Sequence, residues 1–311
     1  MKVISTGEVL WDIFRDIDGS IVEILGGAPL NISCSLHRLG HSVSFMTGVG
    51  TDSRGESTML MMQSMGLSTE FVQRTADLET GTAFVTLDSH RQATFVIPRP
   101  AAFDRLRINE DLLSRLQELE ADWLYFGTLA QTDESNLQFL EEILDRIPQI
   151  RGFYDINLRE GHWNLPLVEH LSSLAAVIKM NDVEAKLLFE LIFPNSIFSL
   201  ENFCRAWSAR YPLEALCVTL GDRGCAVYRD GVLREFSGIP VQVADTVGAG
   251  DAFAAGLLHA LSQPWPPEQQ AAFANGLGAL VASRQGATPD WTVAECERLI
   301  ATSPSSAVFP N

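Results

Sequence analysis

The segment VQVADTVGAGDAFAAGLLHAL, residues 241–261, runs from an alternating apolar stretch through a glycine turn into an amphipathic run, with Asp245 and Asp251 on either side of the turn. It predicts a strand ending at about Ala244, a turn over residues 245–250 and a helix beginning at Asp251. Such a turn leaves several amides around Gly248, Ala249 and Gly250 unpaired at a helix N-terminus, where they and the helix dipole favour an anion. Neither common phosphate loop is present. The chain contains no Gly-Lys pair, which excludes GxxxxGK[ST], and GAGDAF lacks the third glycine of GxGxxG. Asp251 reads in two ways. It is either a helix acid held by the dipole, or a carboxylate that takes a proton from an attacking hydroxyl while the neighbouring amides hold a phosphoryl group.

Outward from this turn the chain keeps one rhythm. KVISTGEV, PLNISCSLHRLG, SVSFMTGVG and GESTMLMMQSMG alternate strand with helix, and Gly40 and Gly66 close the two helices. DWLYFGTL, NLQFLEEILDRI, GFYDIN, AAVIKMN, DVEAKLLFEL and LCVTLG continue it, which predicts a parallel sheet covered by helices on both faces. Ligands of such sheets bind beyond the strands' C-terminal ends. WDIFRDIDGSIVEIL, around Asp18-Gly19, and TGTAFVTLDSHRQATFVI read as two strand pairs without helices of their own. They predict a small second sheet, a lid inserted at about 11–25 and 80–98 in an otherwise single 1–311 domain. Ordinary hairpins at a sheet edge are the alternative. The tail ATSPSSAVFPN is expected to be loosely held.

Composition bounds the partners. A formal net charge of -17 opposes a grip on nucleic acid or an anionic membrane, so an anionic ligand must be held by local devices. The opening MKVISTGEVLWD has no signal-peptide pattern and no long uncharged apolar run follows, so the expected location is cytoplasmic. Five widely spaced cysteines without a CxxC predict buried thiols rather than disulfides or zinc ligands.

Four further clusters lie where strands end. In GGAPLNISCSLHRLG, Gly26 and Gly27 allow close approach, Pro29 suits a first helical turn and Asn31 offers an amide; with Asp12 they suggest a pocket for a polyhydroxylated molecule, though a plain turn fits as well. In KMNDVEAK, Asn181 ends a strand and Glu184 lies one turn into a helix, a spacing that also suits capping. In VTLGDRG, Thr219, Gly221 and Gly224 form a tight turn, for nucleotide phosphates or simply for a hairpin. DINLR places Asn157 and Arg159 beyond another strand.

Taken in order, GGAPLN, GVGTDSRG, NDVE and DTVGAGDAFAAGLL resemble the signatures of the PfkB or ribokinase family of carbohydrate kinases. Within it, GEVLWD, GGAPLN, RPAAFD and DINLR are most similar to fructokinases. The resemblance implies a ribokinase-like three-layer α/β/α domain with a β-sheet lid that also forms a homodimer contact, and ATP-dependent phosphorylation of a sugar's primary hydroxyl. It makes Asp251 the base, Gly248, Ala249 and Gly250 the anion hole, and Arg159 a stabiliser of the transferring phosphate. Sugar contacts fall to Asp12, Gly27, Ala28, Asn31 and Asn157, with Arg99 from the lid. Nucleotide contacts fall to Asn181, Thr219, Gly221, Gly224 and Asn275, and Glu184 organises Mg²⁺ through water. A monovalent cation, K⁺, would take Asp245, Val247 and the VASRQG segment, including Val281, Arg284 and Gly286. The chain departs from the pattern at Asp290, where relatives carry a small hydroxyl residue.

The expected acceptor is fructose. Acceptors such as 2-keto-3-deoxygluconate or ribose keep the fold and change the pocket, and a catalytically silent sugar or nucleotide sensor would keep the fold without the chemistry. Only three lysines, Lys2, Lys179 and Lys186, favour a neutral sugar.

Overall fold

The computed structural model describes residues 1–15, 20–87 and 93–303. The chain opens with β1 (Lys2–Thr6), then β2 (Leu10–Arg15) and β3 (Ile21–Gly26), α1 (Ala28–Arg38), β4 (Ser42–Gly50), α2 (Ser53–Ser64), β5 (Val72–Thr75), β6 (Thr82–Leu87) and β7 (Ala93–Val96). It continues through α3 (Glu110–Glu118), β8 (Trp123–Gly127), α4 (Glu134–Arg146), β9 (Arg151–Asp155), α5 (Leu165–Ser173), β10 (Val177–Asn181), α6 (Asp182–Ile192) and α7 (Leu200–Arg210). The last part holds β11 (Ala215–Thr219), β12 (Gly224–Arg229), β13 (Val232–Ser237), α8 (Ala249–Leu261), α9 (Pro267–Ala282) and α10 (Val293–Thr302).

Nine strands form the main sheet in the order β13-β12-β11-β10-β9-β8-β1-β4-β5, parallel except for the β12 and β13 edge. Successive residues of its strands go to opposite faces, and both faces are covered. Ile4, Phe126, Tyr154, Ile178 and Val218 join one core with helices α3 to α7. Val3, Tyr125, Phe153, Val177 and Cys217 join the other, against α1, α8 and α9. This is why the strands read as continuous apolar runs rather than as alternation. Each such side chain, removed from water, contributes about 1.5–3 kcal/mol. Among the described residues the five cysteines are free and buried, as the spacing predicts.

The chain leaves β1 toward β4 on one side and returns to β8 on the other, so the sheet's order switches at β1, the place where a parallel sheet opens a crevice. Over that edge stands a four-stranded sheet, β3-β2-β6-β7, the separate lid sheet read from the two helix-free segments. The turns around Asp18-Gly19 and over residues 88–92 lie outside the described residues.

Three expectations are corrected. The stretch up to Ala244 forms no strand: β13 has already taken the sheet edge through its hairpin with β12, and the N–H groups of Ala244 and Asp245 turn instead to the carbonyl of Ala282. Helix α8 begins at Ala249 with Gly248 as its N-cap, two residues before Asp251. The stretch expected to be loose from Ala301 opens in helix, since α10 runs through Thr302; residues 304–311 lie outside the described residues.

Candidate active site

Gly248 stands at φ 77 in the left-handed region, and a Cβ there would lie 2.3 Å from the carbonyl oxygen of Ala287. Only glycine satisfies both conditions without displacing the chain. The Ala249 N–H donates to Thr246 O at 3.2 Å, while the N–H groups of Gly248, Gly250 and Asp251 have no acceptor among the described residues. Of the three amides expected to form an anion hole, that of Ala249 is engaged, and the open N–H of Asp251 stands beside the other two.

Asp251 occupies the third helical position of α8, yet its carboxylate does not cap the helix. Its Oδ2 accepts a 2.8 Å hydrogen bond from Asn31 Nδ2, 220 residues away on α1. Among the described residues seven of the ten helices have a side-chain cap at the N-terminus, namely α2 to α7 and α10. Helices α1 and α8 instead start on glycines without one, and they are the pair joined by the Asn31–Asp251 bond. Burial pushes the Asp251 carboxyl up to about 6, against the lowering effect of the Asn31 bond.

Charges converge beneath this edge. Lys179, in the middle of β10, holds buried Asp155 at 3.0 and 3.1 Å, and a Cβ on Gly250 would lie 3.4 Å from its Nζ. Burial alone would lower the Lys179 ammonium, but attraction from Asp155, Glu184 and Asp251 outweighs it and keeps the group charged. Glu8, two residues past the end of β1, is buried and its Oε2 has no hydrogen-bond partner among the described residues. Burial raises its carboxyl to about 7, and burial likewise raises Asp12 to about 6. Sequence reasoning missed Glu8, Asp155 and Lys179 as site residues. The legible signal was a lysine in an apolar strand, VIKMN, and an acid at the exit of another, STGE.

The remaining expected residues sort as follows. Asp12, on the lid strand β2, lies beside the Gly26–Gly27 turn: a Cβ on Gly26 would meet its Oδ2 at 3.3 Å. Gly27 caps α1, with its Cα face against Glu8 O, and Ala28 opens the helix. Asn157 adopts φ 40 and accepts from Arg159 Nη1 at 2.8 Å. Arg99 is not carried by a lid strand, because β7 ends at Val96. Its guanidinium binds both oxygens of Asp104, whose side chain is 1 % exposed, and donates to Leu129 O at 2.7 Å and to Thr132 Oγ1.

Asn181 and Glu184 form a reciprocal capping box on α6. The other oxygen of Glu184 accepts the Leu158 N–H at 2.8 Å, so both carboxylate oxygens are engaged. Thr219 ends β11, Gly221 (φ 64) faces open space, and Gly224 (φ 101) starts the antiparallel β12. Asn275, on α9, donates to Ser237 O at 3.2 Å. Around the expected cation site, Asp245 accepts from Val247 N and Gly286 N at 3.0 Å each, which ties the α8 turn to the segment after α9. Val281 O accepts the Arg284 N–H, and the Arg284 side chain turns away to Asp290 O and to Glu295 at 2.6 Å. The Asp290 carboxylate faces outward to Arg38 at 3.2 Å. No cluster of three or more His, Cys, Asp or Glu suited to a metal occurs among the described residues.

Comparison with known proteins places this geometry. The family model described as pfkB family carbohydrate kinase matches residues 2–293. A fructokinase of Klebsiella pneumoniae is 29% identical over 304 residues, covering 92% of this chain and 94% of that protein. Among solved structures, a fructokinase with bound ATP from Xylella fastidiosa superposes with a TM-score of 0.85 at 25% identity, over 96% of this chain and 98% of the other. A fructokinase from Vibrio cholerae O395, solved with fructose, ADP and calcium ion, gives 0.83 at 26% identity over 96% and 98%.

Proposed function

The chain belongs to the pfkB family of carbohydrate kinases and is an ATP-dependent sugar kinase; from that premise we propose that its acceptor is a neutral hexose, fructose, phosphorylated on a primary hydroxyl. The observation that carries the reading is the uncapped leading edge of α8 with Asp251 turned across it to Asn31. Open amides of Gly248, Gly250 and Asp251 hold the transferring phosphoryl oxygens, and Asp251 accepts the proton of the sugar hydroxyl. Asn31 keeps the carboxylate aimed at the hydroxyl rather than at its own helix.

Asp12, on the lid strand β2, and the Gly26–Gly27 turn hold the sugar, since a carboxylate accepts from adjacent hydroxyls. The nucleotide lies along Asn181, Thr219, Gly221, Gly224 and Asn275, with Lys179 as a fixed positive charge under the phosphates. Mg²⁺, bound with ATP, supplies charge neutralisation of the phosphates. Glu184, both of whose oxygens already accept backbone N–H groups, would hold it through water. K⁺ would take Asp245 and carbonyl oxygens of the segments that its bonds to the Val247 and Gly286 N–H groups bring near one another, whereas the Arg284 side chain, held by Glu295, would take no part. The lid sheet exposes Ile21, Val22, Ile24, Phe84 and Val96, which suits a homodimer contact through the lid.

Incubation with ATP, Mg²⁺ and a panel of neutral sugars, sugar acids and nucleosides, read as ADP release, tests the acceptor. The highest kcat/KM is expected with D-fructose. A higher value with 2-keto-3-deoxygluconate or ribose would replace the acceptor and keep the chemistry. Thermal stabilisation by sugar without ADP release would replace the chemistry with sensing.

A further inference from the structure

We propose that the cavity between the two chain segments on which the lid strands β6 and β7 stand binds a phosphorylated sugar, and that the bound molecule braces the root of the lid. The effect on the lid rests on the kinase reading above, whereas the site itself does not.

From β5 the chain runs through residues 76–81 into β6, and from β7 it runs through residues 97–109 into α3. Between these segments lies a cavity of about 510 Å³, walled by Gln73, Arg74, Thr75 and Asp77 on one side and by Arg105 and Arg107 on the other. The walls are tied to each other. Gln73 Nε2 donates to Arg107 O at 2.8 Å and Gln73 Oε1 accepts the Arg107 N–H at 2.9 Å, so a side-chain amide pairs with the main chain across the gap. Nearer the lid, the Ala102 N–H donates to Glu79 O at 2.8 Å. Thr80, just before β6, is anchored by Asp52 at the start of α2, whose carboxylate accepts the Thr80 N–H at 2.7 Å and its hydroxyl at 2.9 Å.

The chain has only 22 Lys and Arg against a net charge of -17, yet three arginines line this one cavity. Arg74 pairs with Glu56, and Arg105 lies 4.0 Å from Asp133; both pairs reach solvent and are weak enough to yield to a better partner. The Arg107 guanidinium has no partner among the described residues. Guanidinium forks match the oxygens of a phosphate group. Asp77 in the same wall opposes a second phosphate and accepts from hydroxyls, and the volume exceeds what a lone phosphate fills, falling in the range of about 300–1,000 Å³ that suits small organic ligands. Arginines beside one carboxylate therefore select a sugar monophosphate, the class of molecule that sugar kinases make. Held by Arg74 before the lid strands and by Arg105 and Arg107 after them, it would resist the hinge motion that opens the lid.

The test is calorimetric titration with D-fructose 6-phosphate and, separately, with inorganic phosphate, while D-fructose and adenylyl imidodiphosphate occupy the crevice. The protein should take up one D-fructose 6-phosphate per chain, at least about tenfold more tightly than inorganic phosphate, since only the sugar supplies hydroxyls to Asp77. Arg105→Ala with Arg107→Ala should weaken that binding by at least about tenfold, because charge-assisted hydrogen bonds are lost. Both side chains are exposed, and Arg107 serves the fold through its main chain, which alanine keeps, so kcat/KM without the sugar phosphate should stay within about twofold. Asp77→Asn should narrow the gap between the two probes.

At saturating D-fructose and ATP, D-fructose 6-phosphate should lower kcat at least about twofold in the wild type and not in the double variant, because a braced lid releases product slowly. No uptake by the wild type, or equal uptake by the double variant, would overturn the site. Inorganic phosphate binding as tightly as the sugar phosphate would overturn the choice of ligand, and binding without change in kcat would overturn the brace. A protein that binds the sugar phosphate through Arg105 and Arg107 but phosphorylates no sugar would uphold the site and remove the kinase reading.

Discussion

Helices α6 and α8 both start at the crevice side of the sheet, and both carry an acid at the third helical position, Glu184 in one and Asp251 in the other. In α6 the acid reaches back to the N–H of Asn181 while Asn181 accepts from Glu184 N, so the helix end is closed. In α8 the N-cap is a left-handed glycine that offers no side chain, and the acid points across to Asn31. One sequence device thus gives a closed helix end or an open one according to what stands at the N-cap and whether a distant residue captures the acid. The difference also appears in solvation. Burial raises both acids; among the described residues Asp251 has Asn31 as its donor and is raised to about 6, whereas Glu184 accepts two backbone N–H groups that work against its burial.

The contrast breaks most sharply at the acids themselves. Asp251→Asn should lower kcat by about 10²- to 10⁴-fold while sugar and nucleotide still bind by calorimetry. A loss below tenfold would make the Asn31–Asp251 pair a structural tie between α1 and α8. Gly248→Ala comes next: the left-handed φ and the carbonyl of Ala287 force the turn to move, and losing a donor from an anion hole costs about 10²- to 10³-fold in kcat. Near-normal turnover would show that the edge tolerates a different shape.

pH sharpens the same comparison. Below about 6 Asp251 is protonated and cannot accept the hydroxyl proton, so kcat should fall roughly tenfold per pH unit on the acid side. Glu8 and Asp12 titrate nearby, so the limb is assigned through Asn31→Ala, which removes the bond that lowers Asp251 and should move the limb to higher pH. A limb that stays in place would belong to another group.

The smallest effects are on stability. Glu184→Ala opens the capping box of α6 and should cost about 1 kcal/mol by denaturant unfolding. Glu8→Gln should act in the opposite sense. The folded protein retains the Glu8 proton up to about 7, whereas an ordinary carboxyl loses it near 4.5, so folding binds a proton between those values and stability from this group falls as pH rises. The variant escapes that loss. Its advantage over wild type should therefore grow from pH 5 to pH 8, toward at most about 3 kcal/mol. A pH-independent difference would mean that Glu8 is not held neutral by burial.

Much of the fold was legible because its causes are local. Apolar runs such as WLYFG and ALCVT announce strands buried on both faces, and Gly40 and Gly66, both at positive φ, end helices where the sequence places them. The alternation of VQVAD misled, since a strand also needs a free sheet edge, and the β12–β13 hairpin had filled it. Arg99 looked like a lid residue by its place after FVI, but the buried Asp104, five residues on, captures it. What local pattern does not carry is partnership across the chain. Asn31 and Asp251 were each readable as polar groups at helix starts; that they bond, 220 residues apart, depends on α1 and α8 packing side by side. Lys179 and Asp155 likewise meet only because β9 and β10 are neighbours.

The central claim, that the leading amides of α8 are open to the migrating phosphoryl group while those of α6 are closed by their own cap, is tested most directly by amide resonances. Fluoroaluminate added to the enzyme with ADP and D-fructose should shift the N–H signals of Gly248, Gly250 and Asp251 and leave that of Glu184 in place. Equal shifts at both helices, or a shift at Glu184 alone, would contradict it.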